Sequence, residues 1–326
     1  VTIKVGISAC LLGDQVRYDG GHKRSSFCAD ELIRHVEFVK LCPEVGIGMP
    51  VPRPTIRLEW HEQAPADSEH APSVRAVVPK TGEDVTARLT EFADRAQPHL
   101  RQLSGYVLCA KSPSCGMERV KLYDPVTGYS KKAAEGIFVQ RLRQLHPALP
   151  LEEDGRLNDA PLRENFIMRV YVYHAWQQLL GKATPAVAVK KADLLAFHTS
   201  LKLLLMAHNQ QQYRELGRWV AAQQDLTSAD AQEYIEQVMQ ALGKPATRAN
   251  HTNVLQHLQG YFGRHLNAEQ KQELSQLILD YHDGIQPLLA PLTLLRHYLR
   301  EYPDSYLAGQ RYLNPYPADL KLRYAL

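Results

Sequence analysis

Three cysteines constrain this chain more than any other feature. Cys10 stands in Ser8-Ala9-Cys10-Leu11-Leu12-Gly13, Cys42 in Cys42-Pro43-Glu44, and Cys115 in Lys111-Ser112-Pro113-Ser114-Cys115-Gly116. The first two lie at or just past the end of short apolar runs, 3–8 and 38–41, and the third in the loop that follows the run 106–110. Runs of that length read as buried strands. In an open parallel sheet the loops at the carboxyl ends of the strands converge on one crevice, and ligands bind there. The three cysteines are therefore expected to meet. Three thiolates with one open position describe a metal centre that does chemistry, where a closed set of four would only staple a fold.

The other two cysteines read differently. Cys28 sits at a helix start and Cys109 within the third strand, and both are expected to be core. An odd count of five in a chain of 326 residues, opening on a strand-like stretch, argues against a disulfide framework and for a reducing, cytoplasmic setting. No stretch approaches the roughly 18 apolar residues of a membrane span.

A chain of this length exceeds the usual size of a single core, so two domains are expected, 1–160 and 161–326. The first half alternates strand and helix patterns. Strands are expected at 55–60 and 74–79 around a polar excursion at 61–72. Helices are expected at about 28–36, capped by Ser25 or Ser26, at 84–103 and at 132–145. The stretch 42–54, with four prolines and two glycines, reads as a stiff loop without helix. The acidic, proline-bearing stretch 146–159 reads as the break between domains. Beyond it only helical periodicity persists, over 162–180, 192–207, 213–223, 229–241, 251–265, 268–282, 288–302 and 306–313. The expected architecture is an α/β Rossmann-like parallel-sheet domain followed by an all-α domain.

Charge separates the halves weakly. Residues 1–160 carry 21 basic and 21 acidic side chains, so the net +3 belongs to the helical half. There Lys182, Lys190, Lys191, Lys202, Arg214 and Arg218 form one basic group. Lys244, Arg248, His251, Arg264 and Lys271, with Tyr261 and Phe262 interleaved, form another. Such groups neutralise phosphates and stack bases, or else form an ordinary solvated helix face. The eight histidines of this half show no paired spacing and are expected to be structural.

Residues 1–160 resemble the thiouracil desulfidase family. The resemblance is carried by the Cys10 stretch with Val16-Arg17-Tyr18-Asp19-Gly20, by Cys42-Pro43-Glu44 with Gly48-Met49-Pro50-Val51-Pro52-Arg53, and by the Cys115 stretch. From about 190 onward the chain is similar to a second family, through the stretches 204–217, 244–262 and 310–317. The pair in this order resembles bacterial desulfidases acting on 4-thiouridine in tRNA. The resemblance implies a [4Fe–4S] cluster held by Cys10, Cys42 and Cys115, with one iron left without a protein ligand, and hydrolysis of C=S to C=O with release of hydrogen sulfide. Glu44 is then placed to activate water or shuttle its proton, and Ser112 to bond the substrate ring or relay a proton. Two plainer readings stand beside these: Glu44 as an anchor for Arg53, and Ser112 as turn chemistry before Pro113.

The expected partner is tRNA carrying 4-thiouridine, docked through Lys202, Arg214 and Arg248, with no membrane or DNA partner. The alternatives are a Cys₃ zinc hydrolase, a desulfidase of free thiobases such as 2-thiouracil, and a non-catalytic Fe–S RNA-binding redox sensor. Asp14, Arg17, Tyr18 and Asp19 either close their loop or touch substrate.

Overall fold

The computed structural model describes residues 2–61, 73–184 and 187–323. Two expected features fall largely or partly beyond them: the polar excursion 61–72, of which only residue 61 is described, and Pro185 in the connection after the first long helix. The chain divides into two compact units, Val1–Asn158 and Asp159–Leu326.

The first unit is built on two sheets. Four parallel strands, β1 (Lys4–Ser8), β2 (Glu37–Leu41), β6 (Gly105–Leu108) and β9 (Leu151–Glu153), lie in the order β2-β1-β6-β9. β1 and β6 are apolar at nearly every position because both of their faces are covered; Ile7, Tyr106, Val107 and Leu108 have no solvent exposure. The second sheet is mixed, in the order β5-β4-β3-β7-β8, from β3 (Arg57–His61), β4 (Ser73–Val78), β5 (Glu83–Asp84), β7 (Val120–Tyr123) and β8 (Ser130–Ala134). Leu58, Ala76, Val78 and Leu122 on one of its faces pack with Val85, Leu89 and Phe92 of the helical stretch α2 (Thr86–Leu100) and its lead-in. Each fully buried leucine here contributes roughly 1.5–3 kcal/mol.

Several expectations are corrected. The helix at 28–36 is instead a π turn, Phe27–Glu31, running into a 3₁₀ turn, Leu32–Arg34. The 42–54 loop contains one helical turn, α1 (Pro43–Gly46), started by proline at its first position. The helix expected at 132–145 is shorter, α3 (Ile137–Leu145), because its first part pairs as β8 with β7. The expected interdomain break contains β9, which closes the parallel sheet; Glu152, Glu153 and Asp154 are buried there.

The second unit is helical: α4 (Ala160–Leu180), α5 (Lys191–His208), α6 (Gln210–Ala222), α7 (Ser228–Ala241), α8 (Arg248–Tyr261), α9 (Ala268–His282), α10 (Leu289–Glu301) and the single turn α11 (Ser305–Ala308). Caps mark the starts the sequence encodes: Asp159, Asn209, Thr227, Thr247 and Asn267 each accept a backbone N–H of the following turn. Trp176, Phe197 and Tyr234 form an aromatic centre with ring centroids 5.1–6.4 Å apart. The helix expected over 306–313 stops at Ala308. After it Gln310 turns inward, accepting from Leu203 N–H at 3.2 Å and donating to the Thr199 carbonyl at 2.8 Å. Among the described residues no helix is long and apolar enough to cross a membrane.

Candidate active site

The site follows from the order of the parallel strands. β1 lies between β2 and β6, with Ser8 opposite Leu41 and Ile7 opposite Val107. Their carboxyl ends are therefore neighbours, about 4.8 Å apart per strand. Cys10 lies in the 3₁₀ turn Ala9–Leu12 beyond β1, Cys42 caps α1 directly after β2, and the chain leaving β6 passes Cys109 before reaching Cys115. One cavity of about 420 Å³ receives all four, and Glu44, Ser112 and Ser114 line it with them. The structure thus brings together Cys10, Cys42, Cys115, Glu44 and Ser112. Cys28 is fully buried in the π turn and does not line the cavity. Cys109, expected as core, does line it and contacts Cys10.

The cysteine loop is held by its own side chains. Ser112 Oγ accepts the backbone N–H of Ser114 at 3.3 Å and of Cys115 at 3.1 Å. The first residues of the α3 stretch grip the same loop from behind: Ile137 N–H donates to the Pro113 carbonyl and Phe138 N–H to that of Ser114. Gly136 makes that approach possible, since a Cβ there would stand 2.4 Å from the Ser114 oxygen. Asp154, beyond β9, accepts from Ala110 N–H at 2.8 Å and from Lys23. The acidic stretch therefore supports two residues of the cavity lining, Ala110 and Lys23, from behind.

Glu44 is the one carboxylate among the described residues that line the cavity. Its Oε2 accepts from Arg53 Nε at 2.8 Å, and the pair is largely out of solvent. Its Oε1 accepts from Ser114 Oγ at 2.7 Å, and Ser114 Oγ lies 3.0 Å from Ser112 Oγ. Glu44 thus does anchor Arg53, and it also heads a hydroxyl chain, Ser112–Ser114–Glu44. Ser114 as the direct partner was not legible from sequence. Arg17 and Tyr18 line the cavity too, whereas Asp14 pairs with Lys40 and Asp19 contacts Arg17 and Gly21 N–H.

Burial pushes the Cys42 and Cys115 thiols up, and Cys10 is raised by its hydrogen bond to Cys109 as well as by burial. Cys109 moves the other way, lowered by Cys10 and by the cations Lys23 and Arg17. No disulfide is present among the described residues. Four soft sulfur donors around one cavity suit an iron–sulfur centre. No three His, Cys, Asp or Glu side chains among the described residues are gathered tightly enough for a single ion.

In the helical unit, Lys202 and Arg214 line a second cavity of about 790 Å³ with Arg218 and Tyr213. Arg248 is not with them. Its guanidinium bonds the Tyr281 carbonyl and lies over that ring, 4.7 Å from the centroid.

Comparison with known proteins divides the chain in the same way. Residues 5–154 match the family model described as 2-thiouracil desulfurase, and residues 202–317 match a protein of unknown function, DUF1722. The uncharacterized protein YbgA of Escherichia coli (strain K12) is 37% identical over 164 residues, 50% of this chain and 94% of YbgA. The uncharacterized protein YbbK of Bacillus subtilis (strain 168) is 29% identical over 141 residues, 42% of this chain and 88% of YbbK. A solved [4Fe-4S]-dependent thiouracil desulfidase, TudS, is 30% identical, covering 48% of this chain and 94% of that one, with a TM-score of 0.37. The chain belongs to the family of YbgA, its 5–154 segment matches the 2-thiouracil desulfurase model, and it is an enzyme of the desulfidase kind.

Proposed function

We propose that this enzyme converts 4-thiouridine in tRNA to uridine, releasing hydrogen sulfide, with Cys10, Cys42 and Cys115 holding a [4Fe–4S] cluster. The observation that carries the reading is the single cavity in which these thiols meet the Arg53-held carboxylate of Glu44. When bound, a cluster with one iron free of protein ligand supplies a soft acceptor for the thiocarbonyl sulfur, which makes sulfur the better leaving group.

The chain's own groups do the rest. Glu44 takes a proton from the water that adds to the C=S carbon, and Arg53 keeps the carboxylate aimed until then. Ser114 and Ser112 extend the hydrogen-bonded path along which that proton reaches the departing sulfur. Water enters, C=S becomes C=O, and H₂S leaves with no change of oxidation state. A base stacked in tRNA must be turned out to reach a cavity this deep. The cavity formed by Lys202, Arg214 and Arg218 supports a phosphate contact in the helical unit. Arg248 is a poorer candidate, since its guanidinium is already engaged.

A second reading takes free thiobases as substrates, and the description of the family model favours it. The test is anaerobically prepared protein given thiolated bulk tRNA and, separately, 2-thiouracil, with nucleosides read by mass and sulfide measured. Loss of 4-thiouridine with sulfide release supports the tRNA reading. Turnover of 2-thiouracil alone replaces it with the second, and no sulfide from either leaves an Fe–S RNA-binding sensor.

A further inference from the structure

The desulfidase unit carries a basic groove of its own, beside the cysteine cavity. It has a volume of about 630 Å³, and its lining includes Arg57, Lys111, Arg119, Lys121, Tyr123 and Lys132, with no carboxylate among the described residues that line it. Lys111 and Pro113 line both this groove and the cysteine cavity, so the two adjoin each other. The even charge of residues 1–160 gave no hint of this. Arg57 of β3, Lys121 of β7 and Lys132 of β8 line the groove together.

Two features are costly unless an anion is expected. Lys121 and Lys132 stand directly opposite each other on β7 and β8, where like charges repel. Neither has an ion pair among the described residues. Lys111 and Arg119 both hold a left-handed backbone, φ 65° and 55°, that most side chains avoid. Two bulky cations at such positions in one groove point to a need for their charge there. Arg119 has only a 3.9 Å contact with Glu118, and Glu118 is also engaged by Arg156 at 3.1 Å. Arg57 already pairs with Glu59 and lies over the Tyr123 ring, 5.4 Å from its centroid, so the free charge is that of the lysines and Arg119.

The geometry points to a phosphate-binding groove that holds the sugar-phosphate backbone of a thiolated polynucleotide while its base occupies the cysteine cavity. This rests on the desulfidase reading and names where the substrate's phosphates lie. A cavity of about 420 Å³ admits a base, and the groove next to it receives what the base is attached to. A bare thiobase would leave the groove without a role.

The test uses Lys121→Gln/Lys132→Gln, two changes on exposed strand positions outside the cysteine cavity. Binding of unmodified bulk tRNA to the cluster-loaded protein is titrated against salt. The expected result is weaker binding and a log–log salt slope lower by about 1 for each lysine removed. In parallel, KM is compared for 4-thiouridine and its 5′-monophosphate. Wild type should favour the monophosphate, and the double variant should lose that preference with kcat on the nucleoside unchanged. An unchanged slope together with an unchanged KM ratio overturns the groove. If wild type acts on the nucleotide and not on tRNA, the tRNA reading fails while the groove stands. Equal KM values for nucleoside and monophosphate in wild type, with a salt slope that the variant shares, remove the groove and leave the desulfidase reading untouched.

Discussion

Ser114 Oγ donates to Glu44 Oε1 at 2.7 Å, across 70 residues of sequence. The bond joins the loop after β2 to the loop after β6, and it fixes a carboxylate among the thiols. Glu44→Gln is expected to keep the iron and lose turnover by about 10²–10⁴, the range for a general acid–base group. Ser114→Ala should lose less, because Arg53 still holds Glu44. Iron content and sulfide release, measured on the same preparations, check both. Near-normal turnover in Glu44→Gln would falsify its role in proton transfer.

The Glu44–Arg53 pair makes a separate prediction about stability. Arg53 is 8% exposed, so replacing it with methionine leaves a buried carboxylate without its cation. Arg53→Met should cost about 3–5 kcal/mol, and adding Glu44→Gln should recover much of that loss. Denaturant unfolding of the two variants and wild type measures it. A double variant no more stable than Arg53→Met would show that the arginine matters for packing alone.

The thiols set the metal content. Cys10→Ser, Cys42→Ser and Cys115→Ser should each abolish a content of about four irons, while Cys28→Ser, at a residue outside the cavity, should retain it. Iron analysis and visible absorbance under anaerobic conditions decide. A Cys28 variant that lost its iron while the Cys10 variant kept it would reverse the assignment.

Gly136 is needed for lack of a side chain. A Cβ would meet both the Ser114 oxygen at 2.4 Å and the Cys115 nitrogen at 2.9 Å, all backbone atoms that cannot turn aside. Gly136→Ala should destabilise by about 1–3 kcal/mol, the cost of overpacking. It should also lower iron content, since the displaced loop carries Cys115. An alanine variant with wild-type stability and iron would mean that the loop shifts freely.

The helical unit should be acid-sensitive. Burial lowers His198 to about 4 and His251 to about 3, against an ordinary value of 6.5. Both are neutral in the fold, bonded through Nδ1 to Tyr234 and Tyr312. As pH falls below 6.5 the unfolded chain takes up protons that the folded one refuses, so stability declines from 6.5 down to about 3 and is complete above it. His198→Gln and His251→Gln should each flatten that decline in a pH series of unfolding midpoints. An equal slope in wild type and both variants would place the acid sensitivity elsewhere.

The parts of the fold that sequence revealed are those with continuous apolar runs. β1 and β6 read so because both of their faces are covered, and β2, the half-exposed edge, reads so through Phe38, Val39 and Leu41; the cysteines beyond their carboxyl ends are then expected to converge. β7, β8 and β9 did not read as strands. The lysines and alanines of β8 fit a helix equally well, and the glutamates of β9 look like a solvated linker until Arg156 and the N–H groups of Met117 and Glu118 are in place. In the site, the cysteines and Glu44 stood out because of their spacing from strand ends. Ser114 and Cys109 were hidden by their neighbours: Ser114 had no signal apart from the cysteine beside it, and Cys109 looked like the tail of a strand. Lys121 and Lys132 are 11 positions apart in sequence and become a pair only through the hairpin register.

β9 also sets how short a free-standing desulfidase could be. A chain cut after α3, at residue 145, would still own every cysteine, Glu44, Arg53 and the serines. It would lack Asp154, and with it the carboxylate that receives Ala110 N–H and Lys23. It would also leave β6 as a bare sheet edge, open to pairing with another chain. The stretch that resembles a spacer is the edge strand that braces the loops around the thiols, and a minimal enzyme has to carry it.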